Sequence, residues 1–133
     1  MLELLAPAGS PEAVRAAVCA GADAIYLGYG RFNARRNAQN FSDDEFAQAV
    51  SYCHARGVAV HLTLNTLVRQ DELHAALKVA EEACVLGVDA LIVQDVGLAR
   101  RIRAAAPGTV GVLINSNTRK GNVVLGDRYR TVW

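Results

Sequence analysis

Three times the chain repeats one helix-to-strand phrase: Ala20-Gly21-Ala22-Asp23-Ala24-Ile25-Tyr26-Leu27-Gly28, Arg56-Gly57-Val58-Ala59-Val60-His61-Leu62 and Leu86-Gly87-Val88-Asp89-Ala90-Leu91-Ile92-Val93. Each glycine suits the left-handed position that closes a helix, and the apolar, partly β-branched run after it reads as a strand buried on both faces, as parallel sheets require. The glycines stand 36 and 30 residues apart, the size of one βαβ step. A phrase of this kind in series restricts the chain to parallel α/β folds.

The helices between these strands carry their own start signals. Ser10-Pro11-Glu12 places an N-cap before a first-turn proline, with the helix running to about Ala20. Ser42-Asp43-Asp44-Glu45 reads as a capping box with acids against the positive end of the helix dipole, the helix reaching about Ala55. A third helix is expected over Asp71 to Val85, with an apolar stripe of Leu73, Leu77, Ala80 and Cys84, and a fourth over Gly97 to Ala106, stopped by Pro107-Gly108. With an opening strand at Leu2 to Ala6 and a last one near Val110 to Ile114, the order is β-α-β-α-β-α-β-α-β. Two architectures fit it: an open doubly wound sheet, and the first half or so of a TIM-type barrel of parallel βα units. At 133 residues the chain is too short for a complete barrel, which takes about 250.

Apolar residues make up 52% and charged residues 20%, which excludes disordered and collagen-like classes and predicts a packed core. A net charge of +1 gives no global pull toward nucleic acid or an acidic membrane. The last fifteen residues form a short basic tail with four cations against one acid. No apolar run approaches the roughly 18 residues that span a bilayer, and the opening Met1-Leu2-Glu3-Leu4-Leu5 lacks the signature of a secretory leader. A cytoplasmic location and no membrane partner are expected. Cys19, Cys53 and Cys84 are odd in number, widely spaced and without a C-x-x-C pair, so they are expected as packed, reduced thiols rather than a disulfide framework or a metal site.

Both architectures place ligand chemistry at the carboxyl ends of the strands. Along the third strand Val58, Val60, Leu62 and Leu64 alternate with Ala59, His61, Thr63 and Asn65, so one face is apolar and the other turns polar toward its end. Asn65, Gln94 and Asp95 are the strand-end candidates for substrate binding; Asx turns and helix caps are the competing roles, Asp95 directly preceding a helix. The connection from Gly28 to Phe41 is far longer than an ordinary βα loop and carries Arg31, Arg35 and Arg36. Those guanidinium groups can hold a phosphate, a carboxylate or an RNA backbone, or can pair with the acids of Ser42 to Glu45. Gly28-x-Gly30 is not completed to a dinucleotide fingerprint, since Asn33 occupies the last place. His54 and His74 are expected on solvated helix faces, and His61 inside the sheet, early in its strand. No residue pattern for a catalytic triad, a zinc protease or a phosphate-binding loop is present.

The motifs Glu3-Leu4-Leu5-Ala6-Pro7-Ala8-Gly9, Gly21 to Gly28, Arg31-Phe32-Asn33-Ala34-Arg35 leading to Asn40-Phe41-Ser42, Asn65-Thr66-Leu67 and Asp89 to Asp95 resemble, in order, the N-terminal region of the collagenase-like peptidases of unassigned catalytic type, family U32. The resemblance covers residues 2 to 107. It implies a TIM-type barrel at the start of a longer enzyme, with peptidase chemistry or iron-sulfur-dependent hydroxylation of RNA pyrimidines or aromatic precursors, and RNA or peptide as substrate. The cysteine motif of that family has no counterpart here, so no cofactor is expected within this chain. The resemblance carries over to Asn65, Gln94, Asp95 and the arginine loop as pocket walls. It fades after Pro107-Gly108, dividing the chain into a partial barrel, residues 1–108, and a last strand with a divergent tail, residues 109–133. The expected function is that of an N-terminal barrel fragment, inactive alone. The alternatives are a half-barrel assembly module, self-associating through open sheet edges, and a small α/β domain binding a phosphorylated ligand.

Overall fold

The computed structural model describes residues 2–32 and 41–106 in full, and the backbone of residues 111–114 and 123–125. The alternation read from the sequence is present: β1 (Leu5–Pro7), α1 (Pro11–Cys19), β2 (Ala24–Gly28), α2 (Asp43–His54), β3 (Ala59–Leu64), α3 (Leu73–Val85), β4 (Ala90–Val93), α4 (Val96–Ala105) and β5 (Gly111–Ile114), followed by β6 (Val123–Leu125).

The recurring glycine phrase is a helix terminator. In each repeat the glycine N–H and that of the next residue donate back into the last helical turn, Gly21 to Val18 and Ala22 to Ala17, Gly57 to His54 and Val58 to Cys53, Gly87 to Cys84 and Val88 to Ala83. These are paired Schellman bonds. The glycines take φ of 89°, 71° and 89°, a region costly for a residue with a Cβ. The flanking pairs Ala22 with Ala17, Val58 with Cys53 and Val88 with Ala83 are all buried, as the apolar contact of that motif requires. At the other helix ends Ser10 caps α1 through Ala13 N–H, and Ser42 and Glu45 complete a reciprocal capping box on α2.

A second device ties the strands. Asp23 accepts the N–H of Leu4 at 2.7 Å, and Asp89 accepts that of Val60 at 2.8 Å. Each aspartate of the repeat thus fixes the amino end of its own strand to the strand before it.

The strand order is β1-β2-β3-β4-β5-β6, parallel through β5, with β6 antiparallel to β5. That sequential order separates the two architectures, because a doubly wound sheet reverses direction at a switch point. One apolar cluster joins Val14 and Ala17 of α1, Phe46, Val50 and Cys53 of α2, Ala76, Ala80 and Ala83 of α3, and Leu98 and Ile102 of α4 to Ile25, Leu27, Val60, Leu62, Leu64, Leu91 and Val93. By the alternation of strand side chains, those strand residues all share one face. All four helices therefore cover the same side, as in the wall of a TIM-type barrel. The opposite, concave side carries Ala24, Tyr26, His61, Thr63, Ala90 and Ile92, none of which belongs to that cluster. Phe46, Leu62, Leu64, Leu91 and Leu98 are fully buried, each contributing about 2 kcal/mol by transfer from water.

Four expectations are amended. Residues 109–133 were read as one strand and a tail, yet Val123–Leu125 adds a sixth strand. The buried stripe of α3 runs through Ala76, Ala80 and Ala83, with Leu73, Leu77 and Cys84 at its margin. Of the cysteines, Cys53 is buried, Cys84 intermediate and Cys19 exposed, because they fall on three different phases of their helices. His54 is not simply solvated: its Nε2 lies 2.9 Å from Asp89. No helix among the described residues is long and apolar enough to cross a membrane.

Candidate functional site at the carboxyl ends of the strands

Ala8, Tyr29, Asn65 and Gln94 follow the ends of β1 to β4; Ala8 and Tyr29 pack toward the helices, whereas Asn65 and Gln94 continue the alternation of the face away from them and form its rim. Leu64 and Val93 are register partners, so Asn65 and Gln94 emerge side by side from adjacent strands, roughly 5 Å apart along the hydrogen-bonding direction. Both side chains are half-buried. Beneath them Thr63 is 8% exposed and donates its hydroxyl to Leu27 O at 3.0 Å, tying β3 to β2 just below the rim. One layer deeper His61 is 1% exposed beside Tyr26, and burial pulls its imidazole below the ordinary value. His61 is therefore a neutral interior ring near pH 7.

Asp95 lies at the same rim with its carboxylate already engaged. One oxygen accepts the N–H of Leu98 at 2.9 Å, capping α4, and the other accepts that of Val68 at 3.2 Å, holding the β3–α3 loop. The Leu98 bond, aided by those of Val68 and Gly97 and opposed by burial, lowers its pKa. This is the helix-cap role weighed for Asp95 in the sequence.

The long β2–α2 connection is pinned at both ends. Phe32 and Phe41 are 5% and 6% exposed. Tyr29 stacks on Phe46 with ring centroids 4.7 Å apart and donates its hydroxyl to Asp43 at 2.5 Å. That bond, with burial and the Asp43 charge, pushes the Tyr29 pKa up to about 12. Arg31 is exposed at the loop's start, its guanidinium 6.0 Å from the Phe32 ring centre; Arg35 and Arg36 lie outside the described residues. Asp43 takes the Tyr29 hydroxyl and Glu45 the Ser42 N–H; their expected pairing with the arginine loop falls on Arg35 and Arg36, outside the described residues. Tyr29 is the anchor that sequence reasoning passed over. Its signal was an aromatic directly after a strand-end glycine, facing an acid in the next helix's first turn.

Neutral amides at a rim can recognise a ligand through mixed donors and acceptors. Cys19, Cys53 and Cys84 sit on three separate helices, and no group of three or more His, Cys, Asp or Glu among the described residues is placed to hold a metal ion. A cavity of about 590 Å³ lies away from the rim, between α3 and α4, lined by Leu77, Ala80, Cys84, Val85, Ile102 and Ala105 among others.

The fold defines a protein of serial parallel βα units whose helices all cover one face of the sheet, an arrangement consistent with part of a TIM-type barrel. The sequence profile of peptidase family U32 matches residues 9–118, and the chain belongs to that family. It is 44% identical over 97 residues to the 23S rRNA 5-hydroxycytidine synthase of Escherichia coli, covering 73% of this chain and 15% of that protein. It is 36% identical over 108 residues to a tRNA hydroxylation protein of Bacillus subtilis, covering 79% and 25%, and 35% identical over 95 residues to a collagenase of Porphyromonas gingivalis, covering 71% and 23%. The chain thus spans a quarter or less of the length of these relatives.

Proposed function

We propose that this chain forms the substrate-side wall of an RNA-modifying barrel protein, one that hydroxylates a pyrimidine in ribosomal or transfer RNA. Asn65 and Gln94 read the edge of the extruded base, and Arg31, with Arg35 and Arg36 on the same loop, holds flanking phosphates. The observation that carries this reading is the pair of amide side chains emerging from neighbouring strand ends, backed by a buried Thr63–Leu27 bond. Amides match the mixed donor and acceptor edges of a base, and an extruded base is read by such bonds. The 23S rRNA and tRNA hydroxylation relatives support RNA over peptide as the ligand. The chain supplies binding and not the reacting centre, so the isolated polypeptide has neither hydroxylase nor peptidase turnover.

The test is a chimera. Residues 9–106 replace the matching segment of the Escherichia coli rRNA enzyme, and 5-hydroxycytidine is measured by mass spectrometry in cells lacking that enzyme. Hydroxylation is expected to return, and Asn65→Ala with Gln94→Ala to lower it at least about tenfold, the scale of an unpaired polar contact to substrate. Full activity in that double variant overturns the role of the amides. Collagen cleavage by the chimera without RNA hydroxylation overturns the RNA reading, and turnover by the isolated chain overturns the division of labour.

A further inference from the structure

The charges of the four helices are unevenly balanced. On α1 Arg15 lies 3.9 Å from Glu12, α2 opens on three acids, and on α3 Lys78 lies 4.0 Å from Glu82. Helix α4 differs, carrying Arg100, Arg101 and Arg103 and no acid. Arg103 sits in the last turn, where a cation complements the helix dipole, and it is half-buried. Arg100 and Arg101 are mid-helix and exposed, and neither forms an ion pair with a described residue. Neither dipole nor partner accounts for them.

Their placement on the helix is informative. At about 100° per residue, Arg100 lies opposite the buried stripe of Leu98, Ala99 and Ile102, and Arg101 lies on the flank beside it. The residues one turn either side of Arg100 on that outward face are Gly97 and Ala104, both exposed. Small neighbours leave the guanidinium groups clear for a backbone to approach. The helix is capped by Asp95, at the end of β4, so Arg100, five residues on, stands only about 7.5 Å further along the helix axis at 1.5 Å per residue.

We infer that the outer face of α4 is a docking ridge for the phosphodiester backbone of RNA, with Arg100 and Arg101 each contacting a phosphate while a nucleotide enters the rim. The inference rests on the RNA reading above and extends it from the base to the strand that carries it. Guanidinium forks match phosphate oxygens in charge and geometry, and such contacts are indifferent to base sequence. A chain with a net charge of only +1 has little diffuse attraction to mask a local site.

The experiment is fluorescence anisotropy of the whole chain with a labelled, mixed-sequence single-stranded RNA, across roughly 50 to 200 mM salt. Replacing Arg100→Gln and Arg101→Gln together is expected to flatten the slope of log affinity against log salt by about 1.4, and to raise Kd on the order of tenfold at 0.1 M salt, equally for RNAs of unrelated sequence. The Lys double variant retains most of the slope. Arg15→Gln on α1 leaves it unchanged, and circular dichroism confirms that each variant keeps its helix content. An unchanged slope in the Gln double variant, an equal loss from Arg15→Gln, or absence of RNA binding by the wild-type chain overturns the ridge. Failure of the Asn65 and Gln94 variants in the chimera leaves this slope untouched, so the two readings fail separately.

Discussion

Asp95 offers the clearest quantitative test, because its two carboxylate oxygens serve two different segments. Changing Asp95→Ala removes the cap on α4, worth about 1 kcal/mol, and leaves the half-buried Val68 N–H without its acceptor, worth about 1 kcal/mol more. For a chain of 133 residues, each kcal/mol moves the melting temperature by roughly 4 °C, so the loss should lower Tm by about 8 °C. Asp95→Asn keeps a capping oxygen for Leu98 and offers Val68 only an amide, so it should lose about half as much. The pH dependence follows from the lowered carboxyl pKa. A carboxylate whose folded pKa lies below its unfolded value stabilises the fold above about pH 4, and that contribution disappears as pH falls through the folded value. The Tm gap between wild type and Asp95→Ala should therefore be full at pH 7 and narrow progressively below about pH 4. Thermal unfolding followed by far-ultraviolet circular dichroism measures both. An Asp95→Ala chain melting within about 2 °C of wild type at pH 7, half of one such kcal/mol, would refute the capping and tethering argument.

Two further outcomes can be measured. Tyr29 should ionise near pH 12 in a spectrophotometric titration and fall toward 10 in Asp43→Asn; because its folded pKa is raised, its contribution to stability is complete below about pH 10 and lost as pH climbs through the folded value. Along β1, Leu4 O accepts from Ala24 and Ala8 N–H donates to Tyr26, so Glu3, Leu5 and Pro7 present their backbone groups to the open edge, beside exposed Leu2, Leu4 and Leu5. Light scattering should show concentration-dependent dimers that Leu5→Lys abolishes, an inward-pointing charge being an established guard of edges; a wild-type chain that stays monomeric at its solubility limit contradicts self-pairing.

The features legible in the sequence are those decided within one turn of chain. The glycine terminators, the Ser10 cap, the Ser42 capping box and the βα alternation all depend on residues within about five positions of one another, so composition and spacing suffice to read them. Of the candidate site residues, the juxtaposition of Asn65 and Gln94 follows from β3 and β4 being parallel neighbours in register, since parallel strands release their end residues on one side. Arg35 and Arg36 fall outside the described residues.

What only the tertiary structure decided are the pairings across long separations. Asp23 and Asp89 reach backbone amides 19 and 29 residues away, and Asp95 reaches Val68 across 27. No local pattern distinguishes an aspartate that ties two strands from one that meets solvent. The choice between an open sheet and a barrel wall was likewise non-local, since the same βα string satisfies both until strand order puts every helix on one face. The sequence by itself determined which segments are helix and strand, through short-range caps and hydrophobic period. Packing determined which segments are neighbours, because Ile25, Val60, Leu62 and Leu91 join the four helices in one apolar cluster only when their strands lie side by side with every helix on the same face.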